Sequence, residues 1–151
     1  MRCGANLIFI LSKYKRVETG GALVGYYSEQ AIVIIHATGP GPRGRRTATS
    51  VIVDGEYTTE FCHNLNQLSD GYLYYVGDWH VHHKGILVPS FLDKKASKIL
   101  IESKASPIPC IAYLIFSTNM ENVRAYNMSL ETQDEVEIKK CLTPEWVLDF
   151  L

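Results

Sequence analysis

The chain has 151 residues, of which 46% are hydrophobic, and its formal net charge is −1. This length predicts one domain, residues 1–151, because such a chain buries enough apolar surface to fold around one core without disulfides or structural metals. The near-neutral charge excludes a general attraction to nucleic acid or anionic membranes, and no apolar run approaches the roughly 20 residues of a membrane helix.

The first third of the chain is predicted to form short strands followed by a loop. The predicted strands are residues 6–11, 22–28 and 31–38. The first follows the initiating methionine without the small-residue cleavage site of a signal peptide, so we expect a strand and not a leader. Residues 14–19 are polar and fit a short helix or a loop. Glu29-Gln30 predicts a hairpin turn, and GPGPRGRRTATS at 39–50 predicts a mobile loop.

The next segment carries apolar residues spaced four, four and three apart, which predicts one face of an amphipathic helix. These residues are Tyr57, Phe61, Leu65 and Leu68. Asp70-Gly71 is expected to end this helix, and residues 72–82 predict a strand. On that strand Trp79 alternates with His80, so we expect the tryptophan to face the core.

The second half is predicted to continue with a helix over 90–104, its buried side formed by Ala96, Ile99 and Leu100. The expected strands that follow are 111–116, 123–128 and 135–141. Thr143-Pro144 predicts the start of a short terminal helix, with Thr as N-cap. Strands mixed with helices in this order predict an α/β or α+β sandwich.

Three of the five histidines lie in one segment, GDWHVHHKGILVPSFLD, residues 77–93. His80 and His82 are two apart on the predicted strand, so their side chains share a face, with Cα atoms roughly 6.6–7 Å apart. Asp93 opens the next helix. Two imidazoles, a carboxylate and an open fourth position are typical of a catalytic zinc site, which lowers the pKa of bound water to about 7.

A structural interpretation of the same residues stays open on spacing alone. The two histidines also fit a polar strand face. Ser90 and Asp93 have the spacing of a helix capping box. The capping and metal-binding roles are compatible, because a cap would fix the aspartate in one orientation.

The pattern His80-x-His82, seven residues, Ser90, two residues, Asp93 resembles the JAMM motif of the MPN+ (JAB) metalloprotease family. Upstream, VETGGALVGYY places Glu18 before a glycine-bearing strand, as in that family. A glycine-proline loop, a helix and the strand YVGDWHVH then follow in the order seen in the bacterial JAB branch. That branch includes deconjugating peptidases of anti-phage (CBASS-type) and ubiquitin-like modification operons.

The resemblance implies a JAB/MPN-type, cytidine-deaminase-like fold: a mixed β-sheet sandwiched by helices. It implies one zinc ion per chain, held by His80, His82 and Asp93. Glu18 would act as general base, and Ser90 would donate a hydrogen bond to the oxyanion. The reaction would be hydrolysis of the peptide or isopeptide bond that follows the C-terminal tail of a ubiquitin-like protein or conjugate.

One position departs from the family pattern, since His83 stands where the motif usually has proline. We expect His83 to point to solvent, although it could also bind a residue around the metal ligands or contact substrate. The other candidates for substrate contact are the three arginines of the 39–50 loop: Arg43, Arg45 and Arg46. Solvated side chains are the simpler expectation for all three. His36 is expected in the core or at a strand end, and His63 on an exposed helix face.

Two other functions remain as alternatives. A non-catalytic MPN scaffold would bind a protein partner without metal, but such a protein need not keep all five motif residues. A RadC-like, DNA-associated domain carries a similar pattern, but the net charge of −1 disfavours nucleic acid. Four cysteines without a CxxC pair argue against a zinc ribbon and fit the reducing cytoplasm.

Overall fold

A computed structural model describes residues 18–82, 86–103, 108–118, 122–136 and 138. Its elements, in chain order, are β1 (Thr19–Tyr27), β2 (Ile32–Ala37), β3 (Arg45–Arg46), β4 (Val51–Ile52), α1 (Gly55–Leu68), β5 (Tyr74–His82), α2 (Phe91–Glu102), β6 (Ile111–Ser117), β7 (Val123–Met128) and β8 (Gln133–Val136). The α/β class that the sequence predicts is confirmed.

One mixed sheet organises these elements, with strand order β2-β1-β5-β6-β7-β8. Neighbouring strands are antiparallel except β5 and β6, which are parallel. A parallel pair needs a crossover connection, and α2 lies in the segment that provides it. The strand that carries the histidines is therefore central in the sheet, and the helix that carries Asp93 directly follows it.

Both described helices pack on the same face of the sheet. Phe61 and Leu65 of α1 pack with Val24 of β1, whose cross-strand partner is Tyr75. Tyr75 in turn belongs to a cluster that includes Ile101 of α2. The opposite face carries a separate cluster of buried side chains: Leu23, Val76, Trp79, Val81, Ala112 and Phe116.

Most predicted elements agree with the structure, and the small differences have local causes. The 39–50 loop contributes to a two-stranded hairpin, β3–β4, which is too short to leave a periodic pattern in the sequence. The last strand covers 133–136 and so begins before the predicted 135–141. The strand predicted at 6–11 and the terminal helix lie outside the described residues.

The prediction for the buried side of α2 is wrong. Ala96, Ile99 and Leu100 are exposed, Ile99 by 59%. The helix instead buries the polar residues Asp93 and Ser97. The expectation failed because it assumed that the inward face of a helix is apolar, whereas this face approaches the histidines.

The face predicted for α1 is correct at its centre and wrong at its ends. Phe61 and Leu65 are half-buried against β1, whereas Leu68 is 66% exposed and Tyr57 is also exposed. The apolar stripe therefore runs beyond the sheet contact in both directions.

A bulge in β5 sets which of its side chains face the helices. The register with β1 shifts between Leu23, opposite Gly77, and Val24, opposite Tyr75. Val76 and Trp79 consequently share one face although they are three residues apart. The extra residue thus places His80 on the face covered by the helices.

Replacement of Gly77 by alanine is expected to destabilise the fold by about 1–3 kcal/mol, the usual cost of overpacking. A Cβ at this position would lie 1.8 Å from the carbonyl oxygen of Ala112 on the adjacent strand. Urea denaturation measures the change. Gly55→Ala is the matched control, because a Cβ there meets nothing within 4 Å, and its free energy of unfolding should not fall. Equal stability of Gly77→Ala and the wild type would contradict this packing.

Candidate metal centre

His80 and His82 lie on one face of β5, as their spacing predicts. Their ring centroids are 6.4 Å apart. The alternating residues Trp79 and Val81 point to the opposite face and are 0% and 2% exposed. The prediction that Trp79 belongs to the core is confirmed. The apolar residues that alternate with the histidines hold their strand in place.

Asp93 is fixed at the start of α2 by a capping box. The Ser90 hydroxyl accepts a hydrogen bond from the Asp93 backbone N–H at 3.2 Å, and the Asp93 carboxylate accepts one from the Ser90 N–H at 2.6 Å. The box satisfies two backbone donors that every helix start leaves free. It also holds the carboxylate in one orientation, and Asp93 is only 8% exposed.

The three side chains converge. Asp93 Oδ1 lies 3.3 Å from His80 Nδ1, and Oδ2 lies 3.5 Å from His82 Nε2. One nitrogen of each ring and one carboxylate oxygen all lie within 4.8 Å of one another. This N, N, O donor set is that of catalytic zinc sites, so the residues fit such an ion.

The Asp93 carboxyl is strongly stabilised in its charged form. Burial raises the pKa of this group, but its polar neighbours, His80 and His82 foremost, outweigh burial and hold the pKa well below its usual range. A metal ligand must be deprotonated, so this carboxylate is already in the required state.

The hydrogen bond of His82 to the main chain decides its tautomer. Its Nδ1 lies 2.8 Å from the carbonyl oxygen of Ile86, which only accepts, so Nδ1 carries the proton. In the neutral ring the lone pair is then on Nε2, the nitrogen that faces Asp93, and in the charged ring Nε2 donates to that carboxylate. Burial lowers the pKa of His82, but its hydrogen bonds to Asp93 and Ile86 raise it by more. The charge of Glu18 acts in the same direction, which places that carboxylate near the ring.

Gly20 makes room for the other ring. A Cβ on Gly20 would lie 2.4 Å from His80 Cδ2, so any larger residue would displace the imidazole. Gly20 is also the cross-strand partner of His80. The glycine-bearing strand after Glu18 therefore has a direct packing function at this site.

An open cavity of about 420 Å³ lies over the histidines and Asp93. Its lining residues are Glu18, Ala48, Thr49, Ser50, Val51, His80, His82, Ile86, Val88, Pro89, Ser90, Leu92 and Asp93. The structure thus brings together all five motif residues that the sequence singled out. The backbone N–H of Glu18 donates to the carbonyl of Thr47 at 2.8 Å, which ties the start of β1 to the β3–β4 turn.

The arginines of the loop have other surroundings. Arg43 pairs with Asp54, the N-cap of α1, at 3.1 Å, and also with Glu56. Arg45 is exposed and Arg46 is half-buried in β3. The cavity is lined by residues 48–51 of this region instead of by its arginines. Their role as substrate contacts stays a prediction.

The remaining histidines have the surroundings expected of structural residues. His36 is half-buried in β2, and burial lowers its pKa. His63 is exposed on α1. His83 lies outside the described residues, so its expected exposure to solvent stays a prediction.

Sequence reasoning missed two tyrosines beneath the site. The Tyr113 hydroxyl lies 2.8 Å from His80 Nδ1, and the Tyr75 hydroxyl donates to Asp78 at 2.9 Å. Burial raises the pKa of Asp78, and its contacts with His80 and Tyr75 act against that shift. The run that contains Tyr113, IAYLIFS, has the continuous apolar pattern of an ordinary buried strand. Only the register of β6 against β5 shows that this tyrosine faces the histidines.

Residues 10–129 match the family model described as prokaryotic homologs of the JAB domain. The chain therefore belongs to the prokaryotic JAB family. The resemblance in the sequence and the JAB-type fold are thereby confirmed. None of the helices that the structure describes is long and apolar enough to cross a membrane.

The chain is similar to two curated proteins. It is 35% identical over 83 residues to the CD-NTase/cGAS isopeptidase of Escherichia coli (strain TW11681), which covers 55% of this chain and 53% of that protein. The match thus spans about half the length of that relative. It is 26% identical over 113 residues to the probable metalloprotease y4qB of Sinorhizobium fredii (strain NBRC 101917 / NGR234), covering 74% and 69%.

A solved structure supports the fold. The solution structure of protein DSY2949 from Desulfitobacterium hafniense has a TM-score of 0.67, with 91% of this chain and 88% of that chain covered. At 15% identity the likeness concerns the fold alone.

Ser90→Ala is expected to lower the free energy of unfolding by about 1 kcal/mol, because it removes the side-chain acceptor of the capping box. Urea denaturation of the metal-free protein measures this change. Ser129→Ala is the control, since that hydroxyl serves an exposed turn and caps no helix. A loss no larger than that of the control would show that the cap does not stabilise α2.

Proposed function

We propose that this chain is a zinc-dependent JAMM peptidase that hydrolyses the bond after the C-terminal tail of a ubiquitin-like protein or conjugate. The observation that carries the proposal is the convergence of His80, His82 and Asp93 at the floor of an open cavity. Membership of the prokaryotic JAB family and the names of its relatives, isopeptidase and metalloprotease, support the same reaction class.

In this proposal His80, His82 and Asp93 hold one zinc ion per chain. When bound, the metal supplies positive charge that polarises a carbonyl and lowers the pKa of water toward about 7. The chain contributes a carboxylate that is ionised before the metal arrives and an imidazole, His82, whose tautomer is set by Ile86. Both features lower the cost of binding, because the carboxylate needs no deprotonation and the His82 ring needs no reorientation.

Glu18 is the proposed general base. It lines the same cavity as the three proposed ligands, and its charge acts on His82. Its carboxylate would take a proton from the attacking water and pass it to the departing amine. The hydrogen bond from its N–H to Thr47 holds the backbone of this residue while the side chain moves the proton.

Ser90 is the proposed oxyanion donor. Its oxygen accepts from the Asp93 N–H, and its hydroxyl proton, which interacts with the Asp93 carboxylate, would turn to the substrate. Ser90 lines the cavity, where that proton would meet the oxygen of the substrate carbonyl as negative charge develops. One side chain would then both cap α2 and stabilise the transition state.

The cavity walls support an extended protein tail as substrate. The lining includes the small residues Ala48, Thr49 and Ser50 and the apolar residues Ile86 and Leu92. The name of the E. coli relative couples isopeptidase activity with CD-NTase proteins, so a CD-NTase conjugate is the first substrate to test. We place the reaction in a cytoplasmic anti-phage or ubiquitin-like modification system, and Cys62 and Cys110, both free thiols, fit a reducing compartment.

The purified wild-type protein is expected to hold about one zinc per chain, the stoichiometry of a single catalytic site. Asp93→Asn should hold far less, because it keeps a capping oxygen but removes the charge of the third ligand. Elemental mass spectrometry measures zinc per chain, and Asp134→Asn on exposed β8 is the matched control.

Two outcomes would contradict this site. Full zinc in Asp93→Asn would show that the ion binds elsewhere. No zinc in any of the three proteins, even after zinc is added, would exclude the peptidase and favour a non-catalytic scaffold.

Glu18→Gln is expected to retain zinc and lose about 10²–10⁴-fold in turnover, the usual contribution of a general base. Two substrates are compared on gels: a CD-NTase joined through its C-terminus to a second protein by a peptide bond, and one joined by an isopeptide bond to lysine. Glu29→Gln, in the exposed β1–β2 turn, is the control and should cleave like the wild type.

Undiminished cleavage by Glu18→Gln would contradict the proposed role of Glu18 as general base. A wild-type protein that holds zinc but cleaves neither conjugate would contradict the substrate class and leave the metal centre intact.

A further inference from the structure

The hydroxyl of Tyr113 contacts His80 and lies near Asp93, which are two of the three proposed zinc ligands. Tyr113 is 2% exposed on β6, where its partner across the parallel pair is Asp78, two residues before His80. Its hydroxyl lies 2.8 Å from His80 Nδ1, and its ring packs edge-on against the imidazole with centroids 5.3 Å apart. The Asp93 carboxylate lies near the same hydroxyl and interacts with it electrostatically.

The donor and acceptor roles at this hydroxyl follow from its partners. Asp93 Oδ1 lies 3.3 Å from His80 Nδ1 and only accepts, so Nδ1 carries a proton. The phenol oxygen, 2.8 Å from the same nitrogen, is then an acceptor for it. The lone pair of His80 is thereby assigned to Nε2, on the edge of the ring that faces Gly20, where a Cβ would lie 3.1 Å away.

We propose that Tyr113 is a positioning residue, which holds the His80 ring and the Asp93 carboxylate in the arrangement that binds zinc. This inference rests on the proposed function, because it assigns a role in metal binding. The Tyr113 hydroxyl contacts the His80 ring from β6, and Gly20 leaves room for the same ring on the β1 side. Neither contact is visible in the five-residue motif.

The test compares zinc affinities by competition with a chelating dye. Tyr113→Phe keeps the ring and removes only the hydroxyl, and loss of such an outer partner typically weakens metal binding about 10–100-fold. Cobalt bound to the same variant should also show a shifted visible spectrum, since the ligand geometry changes. A role limited to stability would leave that spectrum unchanged.

Tyr27→Phe is the matched control. Its hydroxyl donates to the carbonyl of Cys110 at 2.5 Å, and its ring packs on the opposite face of the sheet. This variant loses a tyrosine hydroxyl and a main-chain hydrogen bond without touching the site. Its zinc affinity and cobalt spectrum should match those of the wild type.

A second measurement uses the wild type, and so it tests the positioning role even if Tyr113→Phe does not fold. Nitrogen NMR of the zinc-loaded wild type should show the proton of His80 on Nδ1 and the metal on Nε2. Ligation through Nδ1, or wild-type affinity and spectrum in Tyr113→Phe, would overturn the positioning role alone. A wild type that binds no zinc would overturn the proposed function and this inference together.

Discussion

A buried carboxylate constrains the whole site. Asp93 is 8% exposed, and an ionised group so far from water is tolerated only when its oxygens are hydrogen-bonded. Its partners come from three elements: Ser90 at the start of α2, His80 and His82 on β5, and Tyr113 on β6. The start of α2 must therefore sit at one place above the parallel strands, because a shift of a few ångströms would leave the charge unpaired.

This arrangement explains why α2 does not behave as an ordinary amphipathic helix. The inward positions Asp93 and Ser97 serve the polar site, and Ile101 is the residue of the last turn that joins the apolar cluster. Stability must then come from elsewhere, and the opposite face of the sheet supplies part of it, with Trp79 and Leu23 almost fully buried. The face opposite the site is thus apolar, whereas the face that carries the site combines polar side chains with apolar clusters under the helices.

The sequence predicts those features that depend on local periodicity or on a fixed motif. The strands around Val24, His80 and Ile115 were predictable because their apolar patterns are strong. The Ser90–Asp93 cap was predictable because its spacing is that of a capping box. The β3–β4 hairpin was not, since two-residue strands carry no period. Tyr113 was missed for a different reason: its role depends on the register between strands about 30 residues apart, which no local pattern encodes.

The pairing of β5 with β6 also has a consequence for how the molecule folds. A parallel pair forms only after the intervening segment has closed, and that loop-closure entropy is spent before the contact is gained. His80 meets Tyr113 across 33 positions of chain, so their contact is non-local. The hairpins β1–β2 and β6–β7, by contrast, join strands close in sequence. We therefore expect the site to mature late along the folding pathway, after the hairpins have formed on either side of it.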